Sequence, residues 1–372
     1  MALSLPVAPL AAQEQEDAAV NTSRAPQTCQ RVNLADAATG EPVIGVEDIV
    51  VNPADGQVYL SAYNRWALED AIEADADKLP QGAIYVTPLK TLKRQPKHLP
   101  LRRLAADRNR RFHPHGLALH LGETERLFAI NHAYRREDGG WSRRTRLEAY
   151  DITADGLRHV SGGSHPALCQ ANNLTALSAQ DLLVTRDHGA CNRLGRWLEN
   201  ILGLDRGQVV LASLNGDNPP SLETLVADIG YANGIALAPD GSTLAVAATR
   251  DQHIRFYNTP ALLSGAAKAL KRTVGVDGGP DNISWAPDGR LIAAVHPSLL
   301  DVGMARLRWF GAHRAGTKAI ALTPETAVTE TLVHDTEGKL LNAGTGAVLF
   351  EETLVVSGVL DDALLVCRPG SS

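Results

Sequence analysis

The chain has 372 residues, 44% of them hydrophobic, 21% charged and 5% aromatic, with a formal net charge of −6. These proportions describe a folded globular protein rather than a disordered or fibrous one, and no apolar run approaches the length a membrane-spanning helix needs. The acidic balance argues against nucleic acid as the main partner, and the basic run at 90–111 reads as a solvated loop.

Residues 1–28 read as an N-terminal arm. The stretch MALSLPVAPLAAQEQED carries a short apolar run, small residues and then a polar segment, the pattern of a secretory-signal remnant without its basic leader. From Cys29 to the end, over 29–372, one unit recurs six times: a polar-headed apolar strand, a tight turn and a second apolar strand. The repeats begin at Glu47, His115, Asn172, Asn233, Asp281 and Gly344. Asp55-Gly56, Asp240-Gly241 and Asp288-Gly289 provide residues that tolerate the backbone twist of a hairpin turn. Third strands are predicted from Ala83, Arg146, Gln208, His253 and Lys318.

A supersecondary unit repeating at intervals of roughly 50 to 70 residues predicts an all-β, six-bladed β-propeller, a single domain with short helices over one mouth. In such a ring the first strand of each blade lies innermost, so six heads converge on one channel. Two helices are predicted. ALEDAIEADADK, from Ala67, lies in a long insertion and suits a lid. NRLGRWLENILGL, from Asn192, places Leu194, Trp197, Leu198, Ile201 and Leu202 on one apolar face, which a helix packed over the blades would bury.

The chain ends of a propeller meet in the closing blade, and Cys29 and Cys367 fall in the first and last predicted strands. A bridge between them would lock the ring, by roughly 4 to 5 kcal/mol in the chain-entropy model, and would persist in an oxidising compartment, secreted or periplasmic. Cys169 and Cys191 flank one hairpin and are left open as a pair or as buried thiols.

The heads supply Glu47, Asp48, Asn172, Asn173, Asn233, Asp281 and Asn282, an all-oxygen set. Hard oxygen donors of mixed charge select calcium over zinc, and Glu47 with Asp281 would neutralise a divalent ion. Taken singly, each Asn or Asp is more often a turn cap; recurrence at one place in successive repeats favours the binding reading. His115 heads its repeat, while His132, His188 and His296 are expected where second strands return to the same mouth. His113 reads as a bystander.

The segments EDIVVNP, FHPHGLAL, AINH, YANGIALAPDG and DNISW, in their order and spacing, resemble the serum paraoxonase and arylesterase family of six-bladed calcium-dependent esterases and lactonases. The resemblance runs from Cys29 to Cys367 and includes the chain-end cysteines. It implies that Glu47, Asn172, Asn233, Asp281 and Asn282 ligate a catalytic calcium and that His115 and His132 form a base dyad, with Asp281 an alternative activator of water. It also implies a structural calcium held by Asp48, the Leu117 carbonyl and an aspartate at the position of Asn173, where the missing negative charge weakens the site. Asp187, His188 and His296 match polar residues near the family's active site, and the helix from Asn192 matches one that touches hydrophobic substrates or lipid.

The implied reaction is hydrolysis of a small-molecule ester or lactone. No Gly-x-Ser-x-Gly elbow or Walker-type loop is present. A non-catalytic binding propeller leaves the oxygen-rich heads unexplained. A strictosidine-synthase-like enzyme would not need this ligand set, whereas a gluconolactonase-like sugar lactonase would use a similar but smaller one.

Overall fold

Each of the six sequence repeats folds into the antiparallel hairpin that its alternation predicts. In this computed structural model, which describes residues 16–17, 20–23, 27–104, 111–137, 139–308 and 313–369, the hairpins pair Val46–Val51 with Gln57–Ala62 and Pro114–Leu121 with Glu125–Glu137. Next come Ala171–Ala176 with Asp181–Arg186, Ala232–Leu237 with Thr243–Ala248, Gly279–Trp285 with Leu291–His296, and Gly344–Phe350 with Thr353–Gly358. The third strands expected from sequence are Ala83–Pro88, Gly140–Thr153, Gly207–Ser213, His253–Asn258 and Thr317–Thr323.

These strands build a propeller-like, all-β structure of five sheets. Four sheets are meanders of four successive strands, ending in Gly156–Ser164, Ser221–Ile229, Leu270–Gly275 and Val328–Asp335. The fifth has eight strands and corrects the expectation of six separate blades. Its cause is Gln27–Asp36, which pairs antiparallel with Ala363–Pro369 and, on its other edge, parallel with His98–Arg103, from Asn33↔His98 to Asp36↔Leu101. Two four-stranded halves are thereby stitched into one sheet. Of the leading arm, Glu16–Asp17 and Val20–Ser23 add as parallel outer strands to Leu270–Gly275 and Val328–Asp335. Most of the segment read as a signal remnant, and residues 105–110 of the basic run, lie outside the described residues.

The six leading strands close a ring. Val46–Val51 contacts Pro114–Leu121, each leading strand contacts the next, and Gly344–Phe350 returns to Val46–Val51. Strands near this ring, such as Leu291–His296 and Thr353–Gly358, are buried along their whole length because neighbouring sheets cover both faces. The outer strand His98–Arg103 alternates between buried and exposed, as expected where one face meets water.

Every leading strand carries a β-bulge, and the bulge always falls on the polar head. The register slips between Val46 and Asp48, Pro114 and Leu117, Ala171 and Leu174, Ala232 and Ile235, Pro280 and Ile283, and Gly344 and Gly346. A bulge re-aims side chains and leaves backbone groups without ladder partners. Buried hydroxyls on second strands take up those groups. Ser61 accepts from the Asp48 N–H (3.2 Å) and donates to the His115 carbonyl of the next repeat (2.5 Å). Thr185 does the same between the Asn173 N–H (3.0 Å) and the Asn233 carbonyl. Thr249 donates to the Pro280 carbonyl (2.6 Å), and Ser357 accepts from the Gly346 N–H (3.1 Å). Glycine completes the fit at two heads: a Cβ on Gly116 would lie 2.8 Å from the Asn173 Cα, and one on Gly234 would lie 2.4 Å from the Asp281 carbonyl oxygen.

Both disulfides are formed. Cys29–Cys367 joins the outermost strands of the half-sheet that holds both chain ends, closing a sequence separation of 338 residues, and Cys169–Cys191 closes one of 22. No helix among the described residues is long and apolar enough to cross a membrane.

Two outcomes follow. Thr185→Val leaves the Asn173 N–H and the Asn233 carbonyl without their hydroxyl and should cost about 2–4 kcal/mol; a denaturant-titration loss under 0.5 kcal/mol would show that the brace is dispensable. Replacing Cys29 and Cys367 together by Ser should lower unfolding free energy by about 2–5 kcal/mol, and an unchanged denaturation midpoint would mean the strand pairing alone closes the ring.

Candidate functional site

The bulged heads bring the predicted oxygen donors into one buried hub. Glu47, Asp48, Asn172, Asn173, Asn233, Asp281 and Asn282 are each at most 6% exposed. The Asn173 amide donates to Asn282 Oδ1 (2.6 Å), and the Asn282 amide donates to the Glu47 carbonyl (3.0 Å), so three repeats are tied across the ring. The Asn172 amide donates to Asp187 Oδ2 (3.3 Å), and Asn233 hydrogen-bonds the Asp281 carboxylate. With their nitrogens committed, the buried Asn172 Oδ1 and Asn233 Oδ1 have no hydrogen-bond partner, and His296 Nδ1 has none either. Buried oxygens left open in this way are rare in folded proteins and signal a missing partner.

The carboxylates are managed unequally. Burial pushes Asp281 up, with the Glu47 charge adding to it, although His296 Nε2 lies 2.7 Å from Asp281 Oδ2 and opposes the shift. Burial likewise raises Asp48 to about 7, against the pull of the Leu117 and Ile49 N–H groups, each 2.8 Å from one of its oxygens. Asp187 is held low: burial is outweighed by His188, whose Nδ1 is 2.8 Å from Asp187 Oδ1. His188 Nε2 reaches Asn200 Oδ1 (2.9 Å), so both ring nitrogens face oxygen acceptors, and the imidazole is raised despite burial.

Glu47 is held by a residue that sequence reasoning missed. The helix Arg65–Glu73 starts two residues before the expected Ala67, capped by the Asn64 side chain, which accepts the Ala67 N–H. This start turns Arg65 inward, where its guanidinium donates to Glu47 Oε2, the Tyr63 hydroxyl and His115 Nδ1 (3.1 Å). Against burial, Arg65 and then His115 bring Glu47 below its usual value. A guanidinium only donates. His115 Nδ1 therefore accepts, its proton sits on Nε2, and Nε2 faces Glu47 Oε1 at 3.5 Å. Burial, opposed by Glu47 and aided by Arg65, lowers His115 to about 4. The available signal was position: Arg65 follows the second-strand end Ala62, at the same ring face as the heads.

The other histidines divide. His132 stacks obliquely on His115, with ring centroids 4.7 Å apart, and its Nδ1 lies 3.2 Å from Thr145 Oγ1. It does not end its strand as expected, because Glu125–Glu137 continues five residues further against Gly140–Thr153. Burial, with Arg143 nearby, pushes it well below the ordinary histidine value. His113 is fully buried between the carbonyls of His132 (3.0 Å) and Pro80 (2.8 Å), a packing role away from the hub donors. The Leu117 N–H donates to Asp48 Oδ2 (2.8 Å).

At the mouth, the helix Arg193–Leu202 is capped by Asn192 and anchored where Glu199 accepts the Gly189 (3.1 Å) and Ala190 (2.8 Å) N–H groups. Cys169–Cys191 ties its approach to the strand that carries Asn172 and Asn173. Its apolar face is not packed over the sheets: Leu194, Trp197, Ile201 and Leu202 are each at least 54% exposed. Among the described residues no cluster of three or more His, Cys, Asp or Glu side chains is arranged for a metal, so the hub's distinctive donors are carboxamides beside separated carboxylates.

Comparison with known proteins agrees with this architecture. A family model described as arylesterase matches residues 71–368. The chain is similar to serum paraoxonase/arylesterase 2 of Gallus gallus, 25% identical over 259 residues covering 68% of this chain and 67% of the relative. It is also similar to serum paraoxonase/arylesterase 1 of Homo sapiens, 24% identical over 261 residues and 68% of each chain. Two solved structures share the fold: a luciferin-regenerating enzyme (10% identity, 92% and 95% coverage, TM-score 0.53) and a gluconolactonase from Xanthomonas campestris (15%, 88% and 87%, 0.50). With four-fifths of its length matched and its oxygen-lined hub in place, the chain belongs to the arylesterase family of ester hydrolases.

Proposed function

We propose that this protein is a calcium-dependent hydrolase of carboxylic esters and lactones, with Glu47, Asn172, Asn233, Asp281 and Asn282 as the calcium ligands. The observation that carries the reading is the pair of orphaned carboxamide oxygens, Asn172 Oδ1 and Asn233 Oδ1, buried beside two carboxylates. Oxygen donors of this mixture suit calcium. When bound, the ion would supply Lewis acidity to the scissile carbonyl and favour the charge that develops on its oxygen. Asp48, Leu117 and Asn173 act instead as a hydrogen-bonded brace, because both Asp48 oxygens already accept backbone N–H groups and Asn173 adds no charge.

Asp281 is the residue we assign to take the proton of the attacking water. His296 Nε2 orients it at 2.7 Å, and its carboxylate stands among the donors proposed for the ion. His115 is less suited, since Nδ1 accepts from Arg65 and Nε2 carries the proton toward Glu47. Its part, with His132, is to position substrate against the hub. Asp187 and His188 connect that hub to the mouth helix, whose exposed apolar face would meet an apolar substrate or a lipid surface.

In this reading residues 29–372 make one propeller-like domain behind the arm 1–28. Two disulfides are the mark of an oxidising compartment; a secreted or periplasmic location follows from them in this reading.

The decisive experiment is hydrolysis of phenyl acetate, a long-chain lactone and gluconolactone with and without exhaustive chelation. Activity should vanish on chelation and return with calcium, and retention in chelator overturns the metal assignment. Asn172→Ala and Asn233→Ala should each weaken calcium binding about tenfold by calorimetry, the value of one lost polar ligand of ~1.4 kcal/mol. Asp281→Asn should lower kcat by more than about a hundredfold while His115→Gln stays within about tenfold; the reverse order returns the base role to His115.

A further inference from the structure

Four arginines from separate segments gather at the hub and its mouth: Arg65 at the start of its helix, Arg143 on Gly140–Thr153, Arg196 on the mouth helix, and Arg306 at the end of the helix Leu299–Arg306. Arg65 is committed to Glu47. The other three hold no carboxylate within 3.0 Å among the described residues, although the Asp187 charge acts on Arg143 and Arg196 from farther off. Arg143 donates only to neutral oxygens, the Cys169 carbonyl and Gln170 Oε1, both at 2.7 Å. Arg196 donates to the Cys191 carbonyl (2.8 Å). Arg306 has only a loose, exposed approach to Glu69 at 3.5 Å.

Arg31, Arg103, Arg126, Arg146, Arg158 and Arg290 each hold a carboxylate at 3.0 Å or less. At the mouth like charge outweighs opposite charge: burial, then Arg143, depress the Arg196 guanidinium below its ordinary affinity, with Asp187 opposing and Arg306 adding to the shift. Arg143 and Arg65 act in the same sense on His132, so their field reaches the hub. A chain of net charge −6 thus presents, around the mouth, guanidinium groups without a close carboxylate partner. Such an arrangement concentrates and steers anions, and guanidinium forks match the geometry of carboxylate and phosphate oxygens.

We infer that the substrate is an anionic ester or lactone, one that carries a carboxylate or similar oxyanion beside the scissile bond, with Arg143, Arg196 and Arg306 receiving that group at the mouth. The inference rests on the ester- and lactone-hydrolase reading and names its substrate class. In the reaction water's oxygen bonds the acyl carbon, the acyl C–O bond breaks, one of water's protons ends on the released alkoxide, and the other leaves the new carboxylic acid for solvent. A carboxylated lactone therefore gives a hydroxydicarboxylate, and no oxidant or further reactant is needed.

The test compares γ-butyrolactone-γ-carboxylate with its neutral carboxamide, for the full chain and for an Arg196→Gln/Arg306→Gln double variant. In low salt kcat/KM for ring opening should favour the carboxylate about tenfold or more, and the preference should shrink toward one in 0.5 M NaCl and in the variant. Calorimetry with the ring-opened hydroxydicarboxylate should show binding that weakens about tenfold in the variant. Opening of both lactones with no preference, or a preference blind to salt and to both substitutions, overturns the inference and leaves the hydrolase reading intact. Opening of neither lactone, with the dicarboxylate still bound through the arginines, removes the hydrolase reading and keeps the anion site. Absence of both activity and binding overturns the inference.

Discussion

The structure depends on keeping six β-bulges satisfied around one axis. Pairs of adjacent polar side chains, Glu47-Asp48, Asn172-Asn173 and Asp281-Asn282, can face the hub together only because the leading strand bulges there and breaks the in–out alternation of a regular strand. A bulge at a buried position strands backbone groups away from bulk water, where they need protein partners. Ser61, Thr185, Thr249 and Ser357 supply the partners, and three of them reach the carbonyl of the next repeat. Local irregularity and ring closure are therefore one hydrogen-bond system: Ser61 and Thr185 each accept a bulge N–H and donate to the neighbouring head.

Electrostatics then sort the carboxylates that the bulges collect. Four sit within the ring, and leaving all of them ionised and unpartnered in a low-dielectric centre would be prohibitive. Each meets a different compensation: Arg65 on Glu47, two backbone N–H groups and a raised proton affinity on Asp48, His188 on Asp187, His296 on Asp281. For the hub carboxamides the compensation is one-sided, since the amides of Asn172 and Asn233 spend their N–H groups and leave their oxygens open. A centre built to be neutral on its own would have turned those amides the other way.

How much of this was legible depends on the range of the interaction that sets it. Strand alternation and Asp-Gly turns are local, so the six hairpins and the helix after Asn192 fall where the residues place them. The Cys29–Cys367 bridge was readable because ring closure requires the termini to meet. Contacts set by tertiary placement were not. Nothing in QTCQRVNLAD says that its second edge will take His98–Arg103 and merge two half-sheets. Ser61 and Thr185 look like ordinary polar residues ending apolar strands until the bulge opposite them is known. Arg65 was obscured by a two-residue error in one helix start, which is the usual uncertainty of a helix end and here decided whether a cation faced the hub or the solvent.

The positions of the arginines separate two kinds of recognition. Arg65 is buried at 6% exposure and locked by three partners, so its charge is a fixed element of the hub, opposing Glu47 and directing the His115 proton. Arg143, Arg196 and Arg306 stand farther out, bonded to neutral oxygens or loosely to an exposed carboxylate, and keep donor capacity in reserve. Cys169–Cys191 links the two levels: the Cys169 carbonyl accepts from Arg143, the Cys191 carbonyl accepts from Arg196, and the closed segment between them carries Asn172, Asn173, Asp187 and His188. One covalent closure thus holds the rim cations and the hub ligands in a fixed relation. The spacing between hub carboxamides and rim guanidinium groups is a consequence of that same strand-to-helix connection.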